Sequence, residues 1–189
     1  MRLRTLVTAA TVLLLFPLLA RADDFTYNLD DNFTGFTVTG SITTNTDSGI
    51  LTRSNITGYN IEVSDGSSML NLASTDSELN VAGASLTATA SGLFFNFDNA
   101  NEDLLLFQSP RFGTGTDYLC YQGVNGGCDD FSGAHESIAI GDSGQIEELR
   151  SGKLEIASMP VAQTPEPESL VLMGTGLLGL VGVVRRRLA

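Results

Sequence analysis

The chain has 189 residues and a formal net charge of −12, which leaves room for one domain once segments with a targeting composition are set aside. Between residues 23 and 169 the only cations are Arg53, Arg111, Arg150 and Lys153, set against all 22 aspartates and glutamates. So acidic a surface repels nucleic acid and anionic lipid and favours solubility, while remaining open to divalent cations or basic partners.

The chain starts with a short basic stretch, Met1-Arg2-Leu3-Arg4, followed by an apolar run over residues 6–20. Ala20-Arg21-Ala22 then places small residues where signal peptidase requires them, so residues 1–22 are expected to be a cleaved signal helix and Asp23 the mature N-terminus.

From residue 23 to residue 159 hydrophobicity alternates with period two. Phe36, Val38 and Ile42 oppose Thr37, Thr39, Ser41 and Thr43, while Tyr59, Ile61 and Val63 alternate with Asn60 and Glu62. Leu86, Ala88 and Ala90 continue the rule, then Leu93, Phe95 and Phe97, Leu104 and Leu106, Ile138 and Ile140, and Leu154 and Ile156. Turn residues at 46–49, 64–66, 82–83, 98–99 and 113–115 separate these runs. Short alternating segments at this spacing predict an all-β ectodomain, an antiparallel β-sandwich of jelly-roll-like type. The single helical candidate is the short segment 145–150.

Several side-chain groups invite a chemical reading. Asp98, Asn99, Asn101, Glu102 and Asp103 crowd one turn, and Asp129 and Asp130 follow a cysteine; Asp98, Glu102 and Asp103 are weak calcium candidates without the spacing of a dedicated calcium loop. Cys120 and Cys128 are the only cysteines, and in an exported chain they are expected to pair. With no Trp in the chain, Tyr27, Tyr59, Tyr118 and Tyr121 are the candidate sugar platforms; Tyr118 and Tyr121 flank Cys120 and sit either on a rim or partly buried in a strand.

His135-Glu136 could form a base and its orienter, but a lone histidine near a loop is expected to be solvated. Gly141-Asp142-Ser143-Gly144 spells a serine-protease nucleophile motif, yet the only histidine lies just upstream of it, out of that family's order, so a β-turn is expected. Asn32-Phe33-Thr34 and Asn55-Ile56-Thr57 spell glycosylation sequons, a pattern too short to carry weight by itself. No catalytic set or resident cofactor emerges, and the domain is read as not an enzyme.

Residues 160–169 read as a linker holding Pro165-Glu166-Pro167. An uncharged apolar run over 170–184 follows, and Arg185, Arg186 and Arg187 head a basic cytoplasmic tail over 185–189. At about 1.5 Å per residue a helix over 170–184 reaches about 22 Å, short of a hydrocarbon core of about 30 Å. With Gly174, Gly176, Gly179 and Gly182 inside it, this is a poor permanent anchor. The arginines are expected to set topology by staying in the cytoplasm.

This three-part tail resembles the PEP-CTERM sorting signal of bacteria that make exopolysaccharide and biofilm. The resemblance implies that exosortase, a membrane transpeptidase, removes the helix and leaves the domain at the cell surface or in the extracellular matrix, with the inner membrane as an intermediate station. Residues 40–64, a Gly-Thr strand, a turn and an Asn-Ile-Thr strand, also resemble a pattern in other PEP-CTERM surface proteins, without an attached activity. The expected function is a non-catalytic cell-surface or exopolysaccharide-matrix protein; the alternative is a secreted carbohydrate-binding module, possible with calcium.

Overall fold

A computed structural model of the chain describes residues 24–33, 35–109, 117–129, 131–141 and 145–160. The signal segment 1–22 with Ala20 and Ala22, the turn at 113–115, Asp130, Ser143, the Pro165-Glu166-Pro167 motif, the membrane run 170–184 and Arg185, Arg186 and Arg187 lie outside the described residues. Among the described residues no helix is long and apolar enough to cross a membrane.

The described chain is all-β, and every strand pairing is antiparallel. In chain order the strands are β1 (Phe25–Phe33), β2 (Phe36–Thr44), β3 (Gly49–Ile50), β4 (Ile56–Ser64), β5 (Met69–Ala73), β6 (Glu78–Ala82) and β7 (Leu86–Ala88). They continue with β8 (Gly92–Asn96), β9 (Leu104–Ser109), β10 (Asp117–Gln122), β11 (His135–Ala139), β12 (Gln145–Leu149) and β13 (Lys153–Ser158). One sheet runs β3-β7-β8-β13-β1-β2-β4-β5, the other β12-β11-β10-β9-β6. The two face each other across one apolar core, where the Tyr59 and Phe107 rings meet edge to face at 4.9 Å.

Alternation explains most of this core. Phe36, Val38 and Ile42 on β2 and Tyr59, Ile61 and Val63 on β4 are all buried, while Thr37 and Asn60 face out. Gly40 sits at φ 136° with the Asn60 carbonyl where a Cβ would stand, so β2 and β4 approach as closely as they do only because that position has no side chain.

Three expectations are corrected. Residues 145–150 form no helix; β12 pairs along β11, because so short a segment cannot nucleate a helix but can complete a sheet edge. Leu104 and Leu106 point away from the main core, which takes Leu105 and Phe107 instead. Both faces of β9 are covered, so alternation carries no information about which residues turn inward. Leu154 is 38 % exposed although Ile156 is buried, because a bulge between Glu155 and Ala157 re-aims the start of β13.

Candidate functional site

The polar chemistry of the described chain concentrates on β11, where consecutive side chains face opposite sides of the smaller sheet. His135 and Ser137 face outward under the loop that joins β10 to β11, and Glu136 faces inward between the sheets.

The outer cluster fastens that loop. Cys120 and Cys128 are disulfide-bonded, with Cα atoms 6.3 Å apart. Gln122, fully buried, accepts the Cys128 N–H at 2.7 Å and donates to the Phe131 and Gly133 carbonyls at 3.2 and 3.3 Å. Asp129 Oδ2 accepts from Ser137 Oγ at 2.8 Å and lies 3.0 Å from His135 Nε2, while His135 Nδ1 lies 2.9 Å from the Gly133 carbonyl. Both ring nitrogens thus face acceptors, which requires both to carry protons. Burial opposes the charge, but the Asp129 hydrogen bond and charge and the Gly133 carbonyl outweigh it, so the His135 pKa is raised. Burial pushes Asp129 the other way, and donors from His135, Ser137 and the Phe131 amide hold it below the ordinary carboxylate value.

The expected solvated histidine is therefore a buried ion-pair partner: its exposure is 1 %. The cluster contains Asp, His and Ser, but the serine hydroxyl and the imidazole converge on one carboxylate oxygen, so the wiring is that of a clamp. Of the Gly141-Asp142-Ser143-Gly144 motif only Gly141 is described; its N–H donates to Asp117 Oδ1.

The inner cluster is built around Glu136, 2 % exposed. Arg150 donates to its Oε2 through Nε at 3.1 Å and an Nη at 2.9 Å, pairs with Glu148 at 2.9 Å and approaches Asp31 at 3.9 Å. Burial first, then the Asp31 charge, raise the Glu136 pKa to about 7 against the pull of Arg150. Tyr121 is the cross-strand neighbour of Glu136, and burial with the Glu136 and Asp31 charges lifts its phenol well above the ordinary value. Tyr121 Oη and Glu136 Oε1 are both shielded from solvent, and a hydrogen bond to Glu136 is among the causes that lift the phenol. The sequence offered one hint of this cluster, the scarcity of cations around Arg150; nothing in it joined Arg150 to Asp31 and Glu136.

The remaining candidates disperse. Asp103 is fully buried and accepts from the Ala84 amide at 2.5 Å and from Ser85 Oγ at 2.9 Å. Asp98 accepts the Gly152 amide at 2.8 Å, and Glu102 is exposed. The three carboxylates do not converge, and among the described residues no three His, Cys, Asp or Glu side chains gather as metal ligands. All four tyrosines are buried, Tyr118 and Tyr121 included, so none stands on a rim as a sugar platform.

Comparison with known proteins finds no matching curated protein and no matching solved structure. Residues 163–187 match the PEP-CTERM protein-sorting motif, which follows β13 in the chain. That motif implies export, a membrane-associated intermediate and exosortase as the processing partner. The chain accordingly carries a PEP-CTERM protein-sorting motif at residues 163–187.

Proposed function

We propose that the β-sandwich is a non-catalytic cell-surface or exopolysaccharide-matrix protein, delivered outside the cell by signal peptidase cleavage after Ala22 and exosortase cleavage near Pro165-Glu166-Pro167. The observation that carries this reading is the sorting motif at 163–187, placed directly after an acidic all-β domain. Non-catalytic use is supported by where the reactive side chains are spent: His135 and Ser137 clamp a loop, and Asp103 holds the Ala84 and Ser85 donors.

In this reading Arg185, Arg186 and Arg187 keep the end of the 170–184 helix in the cytoplasm, and Pro165 and Pro167 hold the cleavage motif extended. The test is cell fractionation with mass measurement of both termini. Replacing Pro165, Glu166 and Pro167 should leave full-length protein in the inner membrane, and wild-type protein should be shortened at both ends and leave that membrane. Wild-type protein that keeps Ala189 and stays in the inner membrane beside a functional exosortase would replace sorting with a simple single-span anchor.

A further inference from the structure

We propose that strand β5 pairs along its open edge with β5 of a second copy of the chain, so that the larger sheet continues from one molecule into the next. β5 is the last strand of that sheet, and among the described residues no strand lies beyond it. Two bonds at its ends fix the phase of its ladder. The Ser74 amide donates to the Tyr59 carbonyl at 3.0 Å, and the Asp65 amide donates to the Ser68 carbonyl at 3.3 Å. With Val63 opposite Leu70 and Ile61 opposite Leu72, Leu70 and Leu72 turn their backbone groups to β4. Met69, Asn71 and Ala73 therefore turn theirs to the open edge. The Ala73 carbonyl is taken by the Asp76 and Ser77 amides at 3.1 and 3.0 Å. Among the described residues that leaves the N–H and C=O of Met69 and of Asn71 open to a partner.

The sheet edges are not alike. β3 is two residues long, β6 carries Glu78, and β12 carries Glu147 and Glu148. Shortness and charge keep an edge from adding a strand. β5 has neither guard: residues 66–75 carry no charge in an otherwise acidic domain, and Met69 stands 61 % exposed at the start of the strand.

The sequence of β5 is its own complement. A two-fold axis at Leu70 sets Met69 against Asn71 of the second copy and Asn71 against Met69. Each facing pair then exchanges both backbone bonds, and every open group on both copies finds a partner. Leu70 and Leu72 stay on the core side and Met69 and Asn71 on the solvent side, because this register keeps like faces together. The occupied Ala73 carbonyl falls outside the ladder. Asp65 and Asp76 flank the uncharged stretch, so pairing also brings like charges together, and a ladder this short makes a weak, reversible dimer.

The test is sedimentation equilibrium of the full chain in a density-matched nonionic detergent. Wild-type protein should show a monomer–dimer equilibrium. It should tighten several-fold as salt rises from about 0.01 M to about 0.15 M, where the screening length falls from about 30 Å to about 8 Å. Asn71→Lys puts a charge on the edge and should weaken the dimer about tenfold, with the melting temperature unchanged because this side chain is exposed. Chains with Met69→Cys mixed with chains with Asn71→Cys should cross-link on mild oxidation faster than either alone, which reads the register. A wild-type monomer at every concentration, a dimer that weakens with salt, or cross-linking no faster in the mixture would overturn the proposal. A dimer of unchanged affinity in Asn71→Lys would overturn it in favour of the apolar run 170–184. A monomer that Asn71→Lys destabilises would overturn it by giving the edge to another segment of the same chain.

Discussion

Asp129 reaches back from the loop after β10 to hold His135, its Oδ2 lying 3.0 Å from Nε2 with both side chains almost fully buried. The contact ties a covalently closed loop to the strand that follows it. Because His135 also meets the Gly133 carbonyl, the clamp is complete only with a protonated imidazole.

The first prediction concerns the pH dependence of that clamp. The His135 pKa is raised, so its stabilisation is full below 6.5 and is lost as pH rises through the raised value. The Asp129 pKa is lowered, so its share is present above 3.8 and is lost as pH falls through the lowered value. His135→Gln should therefore cost about 1–2 kcal/mol near about pH 5.5 and clearly less near about pH 8.5, read by urea denaturation. An equal loss at both would show that the ring acts by packing alone.

Glu136 produces a separate slope. Its pKa rises from 4.5 to about 7, so across that window the folded chain keeps a proton that the unfolded chain has released. Stability must then fall as pH rises from 4.5 to about 7. Glu136→Gln should remove up to about 3 kcal/mol of that fall, while His135→Gln leaves it in place. Urea midpoints measured across the window decide it; an unchanged slope in Glu136→Gln would place the titration elsewhere.

Removing the partner cation is the complementary change. Arg150→Met leaves Glu136 buried beside Asp31 with its main counter-charge gone, and should cost about 3–5 kcal/mol at about pH 8. The loss should shrink at about pH 5, where Glu136 takes up a proton. Thermal melts at the two pH values check both parts, and a pH-independent loss would mean that Arg150 matters for its packing.

For the disulfide, the double variant Cys120→Ser, Cys128→Ser should lose about 2.5 kcal/mol, the chain-entropy value for so short a ring. Amide exchange should quicken first at Cys128, whose N–H is held by Gln122. Unchanged stability and exchange would show that Gln122 and Asp129 hold the loop unaided.

Gly40→Ala tests the close approach of β2 and β4. The new methyl would fall on the Asn60 carbonyl at a φ that alanine avoids, and should cost about 3 kcal/mol or more by denaturant unfolding. A neutral result would mean that the two strands can part there without loss.

The sequence by itself determined the all-β class, the inward faces of several strands, and the tail. Alternation is a local signal, and Val38, Ile61 and Phe95 are buried where their period placed them, because one face of each strand meets the core. The sorting motif at 163–187 was equally legible, since a proline-flanked glutamate, an apolar run and an arginine cluster form one contiguous stretch. Local pattern gave way where both faces of a strand are covered: the run from Leu104 to Phe107 reads the same in either orientation, and only packing turned Leu105 and Phe107 inward. The polar clusters were decided by tertiary structure alone. Register with β10 and β12 sends His135 under the loop and Glu136 between the sheets, and antiparallel pairing brings Arg150 back to Glu136 and near Asp31. Charges so far apart in the chain have no shared local signal; they meet because burying the core fixes which strands lie side by side.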